Sequence, residues 1–236
     1  MVALSAGLCA GTGAHAAAPM AKGQAPGYYR MMLGDFEVTA VSDGTVDLEV
    51  AKLLTRTTPA LAKQALRRAF LDDPVETSVN AYLVNTGAKL VLIDAGAGKL
   101  FGPTLGGLVA SLKAAGYQPE QVDEIYVTHM HPDHVGGLAE GGKAVFPNAA
   151  VCADRRDADF WLSQKTLDAA AKDDKGFIEG AMASLKPYVD AGRFTTFAAK
   201  NRYWVAAAHL PFPGIGHLRA EGRGYVFVPA NYSVPR

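Results

Sequence analysis

The chain has 236 residues, and its 23 Lys and Arg residues balance its 23 Asp and Glu residues, so the formal net charge is zero. Hydrophobic residues make up 49% of the sequence and charged residues 19%. This excludes a disordered chain, because such chains combine low hydrophobicity with an excess of charge. The balance also argues against a protein that binds nucleic acid through a basic surface, and we expect no nucleic-acid partner.

The N-terminal segment is rich in Ala and Gly, and residues 1–21 contain no Asp, Glu, Lys or Arg. The segment is too weakly apolar to span a membrane. Its small residues at alternating positions near residues 14–18 are typical of signal-peptide cleavage sites. We therefore predict a signal peptide or a flexible tail over residues 1–27, and one domain over residues 28–236. A signal peptide would place the protein in the periplasm or outside the cell, and a tail would leave it in the cytoplasm.

Strands and helices alternate along the rest of the chain. Strands are predicted over residues 35–41, 78–85, 89–94, 124–128, 149–153, 203–208 and 225–228, with a turn at Asp43-Gly44. The run at 89–94 is almost continuously apolar, so we expect both of its faces to be buried. Helices are predicted over residues 59–71, 105–115, 154–163 and 177–190. This order predicts an α/β fold, or a sheet sandwich with helical outer layers.

One segment carries the chemistry. Directly after the predicted strand at 124–128, the sequence places three imidazoles and one carboxylate within six positions: His129, His131, Asp133 and His134. Imidazole and carboxylate are ligands suited to zinc and other divalent metals. On a tight loop the first two side chains can point one way and the last two the other. The spacing therefore predicts a site for one or two adjacent ions.

These four residues, with the strand and turn from Leu92 to Gly96, resemble the metallo-β-lactamase superfamily of metal-dependent hydrolases. Residues 136–148 and 206–217 are most similar to its organophosphate (methyl parathion) hydrolase branch. The resemblance implies an αββα sandwich. It also implies that Asp94 lies beneath the metal loop and orients the ligands, and that His209, after three alanines, is a metal ligand.

The resemblance further implies a zinc hydrolase in which Asp133 belongs to the catalytic centre and a metal-activated water attacks a small-molecule substrate. Phosphotriesters, aryl esters and lactones are the expected substrates, and thioesters or β-lactams are the alternative among enzymes. Phe101 and Trp161 fall where the organophosphate branch has aromatic residues in its substrate pocket. The expected cofactor is zinc, as one or two ions, although other divalent metals suit the same ligands.

Two motifs of the family are absent from this sequence. Family members carry a further metal-binding His in a PGHT-like turn, and an Asp after a Gly that bridges two metals. After His134 the only histidines are His209 and His217, and the only Gly-Asp pair is Gly34-Asp35. We therefore expect an incomplete second half of the sandwich, one weakly bound ion and a tendency to form homodimers or to self-associate. The alternative function is a truncated, catalytically impaired fold that at most binds one metal.

Overall fold

The computed structural model describes residues 18–20, 22, 25, 27–197, 209, 215–221 and 224–229. Most of the predicted N-terminal segment and all of the predicted strand at 203–208 lie outside these residues. In the part of the chain that is described, no helix combines the length and the apolar character needed to cross a membrane.

Eleven strands are present in the described residues: β1 (Tyr28–Leu33), β2 (Phe36–Leu48), β3 (Val75–Asn85), β4 (Leu90–Ile93), β5 (Glu124–Val127), β6 (Ala139–Glu140), β7 (Lys143–Ala144), β8 (Ala150–Asp154), β9 (Phe194–Phe197), β10 (Gly216–Glu221) and β11 (Gly224–Pro229). Seven of them form one mixed sheet in the order β1-β2-β3-β4-β5-β8-β9. Neighbours from β1 to β4 are antiparallel, whereas β4, β5, β8 and β9 run parallel. The pairs β6–β7 and β10–β11 form two small antiparallel sheets.

Seven α-helices are described: α1 (Val50–Leu53), α2 (Pro59–Arg68), α3 (Leu108–Ala114), α4 (Pro132–Val135), α5 (Arg155–Trp161), α6 (Gln164–Ala169) and α7 (Lys172–Asp190). The predicted start of α2 is confirmed, because the Thr58 hydroxyl accepts a hydrogen bond from Leu61 N and Pro59 is the first helical residue. The last predicted helix begins earlier than expected, at Lys172. The mixture of one large sheet with helices confirms the α/β class and is consistent with the predicted sandwich.

The predicted turn at Asp43-Gly44 is wrong. Strand β2 runs through both residues and pairs with β3 on either side of a β-bulge, where the register shifts between Ser42 and Gly44. A bulge accommodates one extra residue without ending the strand. Asp43 is 2% exposed, so the residue that indicated a surface turn lies in the interior instead.

One face of the large sheet packs into the main core. Ile125 and Val127 of β5 are buried, and they belong to the same apolar cluster as Leu185 and Tyr188 of α7. The opposite face is more open, since Tyr126, between those two residues, is 38% exposed. Burial of both faces was predicted for β4, but alternate residues of that strand are only partly buried. The parallel strands β4 and β5 end side by side, which brings the loops that follow them together.

Candidate metal centre

Two loops meet backbone to backbone at the carboxyl ends of β4 and β5. We call residues 94–107 the β4–α3 loop and residues 128–138 the metal loop. Ala95 N donates to His134 O at 2.8 Å, and Gly137 N donates to Gly96 O at 3.0 Å. A Cβ on Gly137 would lie 1.9 Å from Ala95 O, so only glycine permits this approach.

Asp94 joins the two loops through its carboxylate. Its Oδ1 accepts a hydrogen bond from Thr128 N at 2.8 Å, and its Oδ2 accepts one from Thr128 Oγ1 at 2.8 Å. The same Oδ2 lies 2.8 Å from Nδ1 of His134. A proton on Nδ1 is assigned from this contact, and it leaves Nε2 as the atom with a free lone pair. The structure thus places Asp94 behind a predicted ligand, where it holds the ring in one orientation.

Asp133, His134 and His209 form the three-donor group. Oδ2 of Asp133 lies 3.3 Å from Nε2 of His134 and 3.2 Å from Nε2 of His209. The donor atoms of all three residues lie within 4.8 Å of one another. A tetrahedral zinc ion with bonds of about 2.0–2.2 Å separates its ligand atoms by roughly 3.3–3.6 Å. The group therefore fits one such ion.

The buried Nε2 of His134 supports the same assignment. This atom makes no hydrogen bond within the described part of the chain, although His134 is only 2% exposed. An unpaired buried nitrogen costs free energy unless something binds it. A metal ion between the three donors would supply that partner. His209 reaches the group from outside the metal loop, and its Nδ1 lies 3.3 Å from Ser78 O of β3.

His129 and His131 form a second, smaller set, which we call the histidine pair. Nε2 of His129 lies 3.2 Å from Nδ1 of His131, a separation that also suits two ligands of one ion. Over the described residues, however, the three-donor group is the only set in which three His, Cys, Asp or Glu donors converge. A catalytic zinc usually has three protein ligands, so within the described residues the histidine pair is one ligand short.

The electrostatics of the two sets differ. Burial raises the pKa of Asp133, but His134 and His209 outweigh this effect and hold it well below its usual range. Burial lowers the pKa of His134, but Asp133 and Asp94 outweigh it and raise the value to about 9. Burial and the two neighbouring histidines lower the pKa of His129 to about 4. The surroundings of the three-donor group therefore favour positive charge, whereas those of His129 disfavour it.

A cavity of about 940 Å³ opens beside the histidine pair, between α5, α6 and the start of α7. His131 and Trp161 are among its lining residues, and their ring centroids lie 5.3 Å apart. Phe101 is not among the lining residues and packs in a small cluster with Val79. Its ring centroid lies 6.3 Å from that of Phe177, which does line the cavity. The roles of Trp161 and Phe101 in binding substrate stay predictions.

Sequence reasoning missed three residues near the site. Phe177 lies inside a helical pattern and gives no separate signal. Burial raises the pKa of Asp157 of α5, and the nearby Met130 backbone and Trp161 side chain oppose the rise. Asp43 was assigned to a turn, although its carboxylate binds the backbone of the β4–α3 loop. An acid followed by Gly is such a common turn signal that the sequence could not have revealed this role.

Two solved structures are similar to this chain over most of its length. The hydrolase AbOPH of the beta lactamase superfamily has a TM-score of 0.82 and 30% identity, with coverage of 90% of this chain and 100% of that chain. AidC, a dizinc quorum-quenching lactonase, has a TM-score of 0.76 at 21% identity, covering 88% of this chain and 99% of its own. At the lower identity the likeness shows the fold alone.

Among curated proteins, ribonuclease TTHA0252 of Thermus thermophilus is 30% identical over 160 residues, which is 64% of this chain and 35% of that protein. The chain thus spans about a third of the length of this relative. Residues 74–228 match the family model described as the metallo-beta-lactamase superfamily. The predicted enzyme class, a metallohydrolase, is confirmed at the level of the family. With about two thirds of its length matched, and a His and Asp cluster after β5, the chain belongs to the metallo-beta-lactamase superfamily.

Proposed function

We propose that this chain is a metal-dependent hydrolase that holds one zinc ion in the three-donor group, more tightly than the weak binding expected from the sequence, and acts on small esters. The observation that carries the proposal is the convergence of Asp133, His134 and His209, in which the buried Nε2 of His134 makes no hydrogen bond to any described residue. Other divalent ions also suit the same ligands. The histidine pair would at most hold a second ion weakly, because it offers two donors.

The residues of the chain have distinct parts in this function. A bound zinc ion lowers the pKa of water towards ~7 and polarises the oxygen of the bond under attack. Asp133 contributes the negative charge that retains the ion, and Asp94 fixes the His134 ring so that Nε2 faces the other donors. Tight placement matters, since a displacement of about 1 Å in a reacting group can cost a hundredfold in rate.

The cavity supports an apolar substrate. Phe160, Trp161, Phe177 and Ile178 contribute to its walls, next to three consecutive alanines at residues 169–171. Such walls suit an aryl group or an acyl chain. Of the metal loop, His131 lines the cavity, whereas Asp133, His134 and His209 are not among its lining residues. Phosphotriesters, aryl esters and lactones combine these features, and the phosphotriester choice rests on the sequence resemblance to the organophosphate branch.

A second candidate is a fold that binds one metal and does not turn over substrate. The observation that favours it is the histidine pair, which has only two of the three donors that a catalytic zinc usually has. Homodimerisation, self-association and export to the periplasm are further proposals that rest on the sequence.

The test is a panel of zinc-dependent hydrolysis assays on the full chain. A chromogenic aryl phosphotriester, an aryl ester, a lactone, a thioester, a β-lactam and a single-stranded RNA would be offered with zinc and with a chelator. We expect zinc-dependent turnover of at least one of the first three, and loss of it in Asp133→Ala. The control is Asp47→Ala, which removes an exposed acid on β2. Zinc binding without turnover of any substrate would favour the second candidate, and cleavage of RNA alone would indicate a nuclease.

A further inference from the structure

Asp43 is a buried carboxylate beneath the β4–α3 loop. Its Oδ2 accepts hydrogen bonds from Ala97 N at 2.9 Å and Gly106 N at 3.0 Å, and its Oδ1 accepts one from Leu108 N at 3.0 Å. Its backbone oxygen accepts a fourth, from Gly107 N at 2.8 Å. One residue of β2 therefore ties the early part of the loop to its end and to the first residue of α3.

This arrangement requires an acceptor with two oxygens at position 43. The three side-chain bonds converge on a residue that is 2% exposed, so water cannot easily replace a lost acceptor. Leaving a buried N–H group unpaired costs more than the hydrogen bond gains. Leu108 also begins α3 after Gly107, which has no side chain with which to cap the helix. Asp43, which lies on β2, thus supplies the acceptor that an N-cap residue would normally supply.

The loop that Asp43 holds is in direct contact with the metal loop. Ala95 N donates to His134 O, and a Cβ on Gly136 would lie only 2.0 Å from Ala97 O. Backbones packed this closely cannot slide past each other without breaking hydrogen bonds. A shift of Ala97, whose N–H group binds Asp43, would therefore be passed to Gly136 and to the backbone that carries His134.

We propose that Asp43 is a positioning residue for the metal centre, which fixes Asp133 and His134 through the backbone of the β4–α3 loop. The inference rests on the proposed function, since it concerns the same zinc site. It differs from a purely structural role in what it predicts for the folded protein. Loss of the carboxylate should weaken and distort the bound ion even in molecules that are fully folded.

The test is Asp43→Asn in the full chain. An asparagine keeps the shape and one acceptor oxygen, but its amide group would face at least one of the three N–H donors. We expect zinc affinity, measured by chelator competition, to fall about 10–100-fold, the range typical when a partner that orients a ligand is lost. With Co²⁺ in place of zinc, the visible absorption spectrum should change as well. Thermal unfolding followed by circular dichroism would establish the folded fraction at the temperature of each measurement.

Two variants serve as controls. Asp47→Asn makes the same chemical change at an exposed position of the same strand. Thr104→Val removes the other hydrogen bond between the β4–α3 loop and β2, in which Thr104 Oγ1 donates to Thr45 O at 2.6 Å. We expect zinc affinity within about twofold of wild type in both, since neither change touches the bonds that converge on Asp43.

The outcomes separate the inference from the proposed function. An unchanged zinc affinity and Co²⁺ spectrum in folded Asp43→Asn would overturn the positioning role. If that variant does not fold, hydrogen exchange of the wild type decides: the amides of Ala97, Gly106 and Leu108 should exchange as slowly in the metal-free protein as those of β3, and rapid exchange would overturn the inference. A wild type that binds zinc but hydrolyses nothing contradicts only the proposed function. A wild type that binds no zinc contradicts both.

Discussion

The metal centre has a buried side and an open side, and the two are held differently. On the buried side, the side chains of Asp94, Asp133 and His134 are 5%, 9% and 3% exposed, and glycine contacts fix the backbone beneath them. On the open side, His209 is 44% exposed, and His131 is an exposed residue beside the cavity. The buried side can therefore set the position of an ion before it binds, whereas the open side can adjust to the ion and the substrate.

The largest effect is expected at Asp133, where the two sides meet. Asp133→Ala removes the only carboxylate of the three-donor group, so zinc affinity should fall by more than the roughly 100-fold seen when an outer partner is lost. Zinc at a hundred times the wild-type Kd should stabilise the wild type by about 2.7 kcal/mol and the variant hardly at all. Chelator competition measures the zinc affinity, and thermal unfolding measures the stabilisation by zinc. Asp47→Ala is the control. If Asp133→Ala bound zinc with the Kd of the wild type, the ion would have to bind elsewhere.

Asp94 tests the buried side alone. Its φ is 61°, a left-handed conformation that Asn also tolerates. Asp94→Asn should thus keep the backbone and lose part of the contact with His134 and Thr128, and we expect zinc affinity to fall about 10–100-fold. Asp94→Ala should add backbone strain of roughly 1–2 kcal/mol, seen as a lower unfolding free energy. If Asp94→Asn binds zinc as the wild type does, the buried side does not preset the ion.

Tyr188 of α7 supports the buried side from below. Its hydroxyl donates to Leu138 O at 3.0 Å and accepts from Phe146 N at 3.2 Å. Tyr188→Phe leaves Phe146 N unpaired, whereas Leu138 O keeps its hydrogen bond from Val145 N at 2.9 Å. The free energy of unfolding should therefore fall by about 1–3 kcal/mol. Zinc affinity of the folded protein should change much less, because Leu138 lies beyond the ligands. Urea unfolding at neutral pH, with chelator competition beside it, checks the two expectations.

The same residue gives a pH dependence. Burial raises the pKa of Tyr188 to about 12, against about 10 in the unfolded chain. A raised pKa gives stability that is complete below pH ~10 and is lost as the pH rises through the folded value; two pKa units correspond to about 2.7 kcal/mol. The wild type should therefore lose more stability between pH 10 and 12 than Tyr188→Phe. If the free energy of unfolding fell equally with pH in the two proteins, this expectation would be wrong.

The sequence was sufficient to predict the candidate ligands of the metal loop, because His and Asp spaced this densely after an apolar strand are typical of metal sites. Asp94 and His209 came from the family resemblance, and the structure places both within 3.3 Å of the metal loop's side chains. That His209 is a ligand, and that Asp94 orients the ligands, stay predictions. The α/β class followed from the alternation of strands and helices.

What the sequence could not predict depends on contacts between distant segments. Asp43 and Gly44 carry a strong turn signal, yet pairing of β2 with β3 overrides it and draws the carboxylate inside. The edge strands β1 and β9 were missed, since their burial patterns lack a clean alternation. The resemblance places Phe101 at the substrate pocket; its ring contacts that of Phe177, which lines the cavity, and its role stays a prediction.

The smallest effect is expected on the open side. His131→Ala leaves the three-donor group untouched, so the affinity for the tightly bound zinc should stay within about tenfold of wild type, compared with the collapse expected for Asp133→Ala. Elemental analysis of the wild type should find one tightly held zinc per chain, and any second ion that appears under excess zinc should be lost in His131→Ala, because the histidine pair would keep one donor. Trp161→Phe, which preserves an aromatic ring next to His131, is the matched control. Should His131→Ala lose its tight zinc as completely as Asp133→Ala, the pair and not the three-donor group would be the principal site. The distinction between a preset buried side and an adaptable open side would then be reversed.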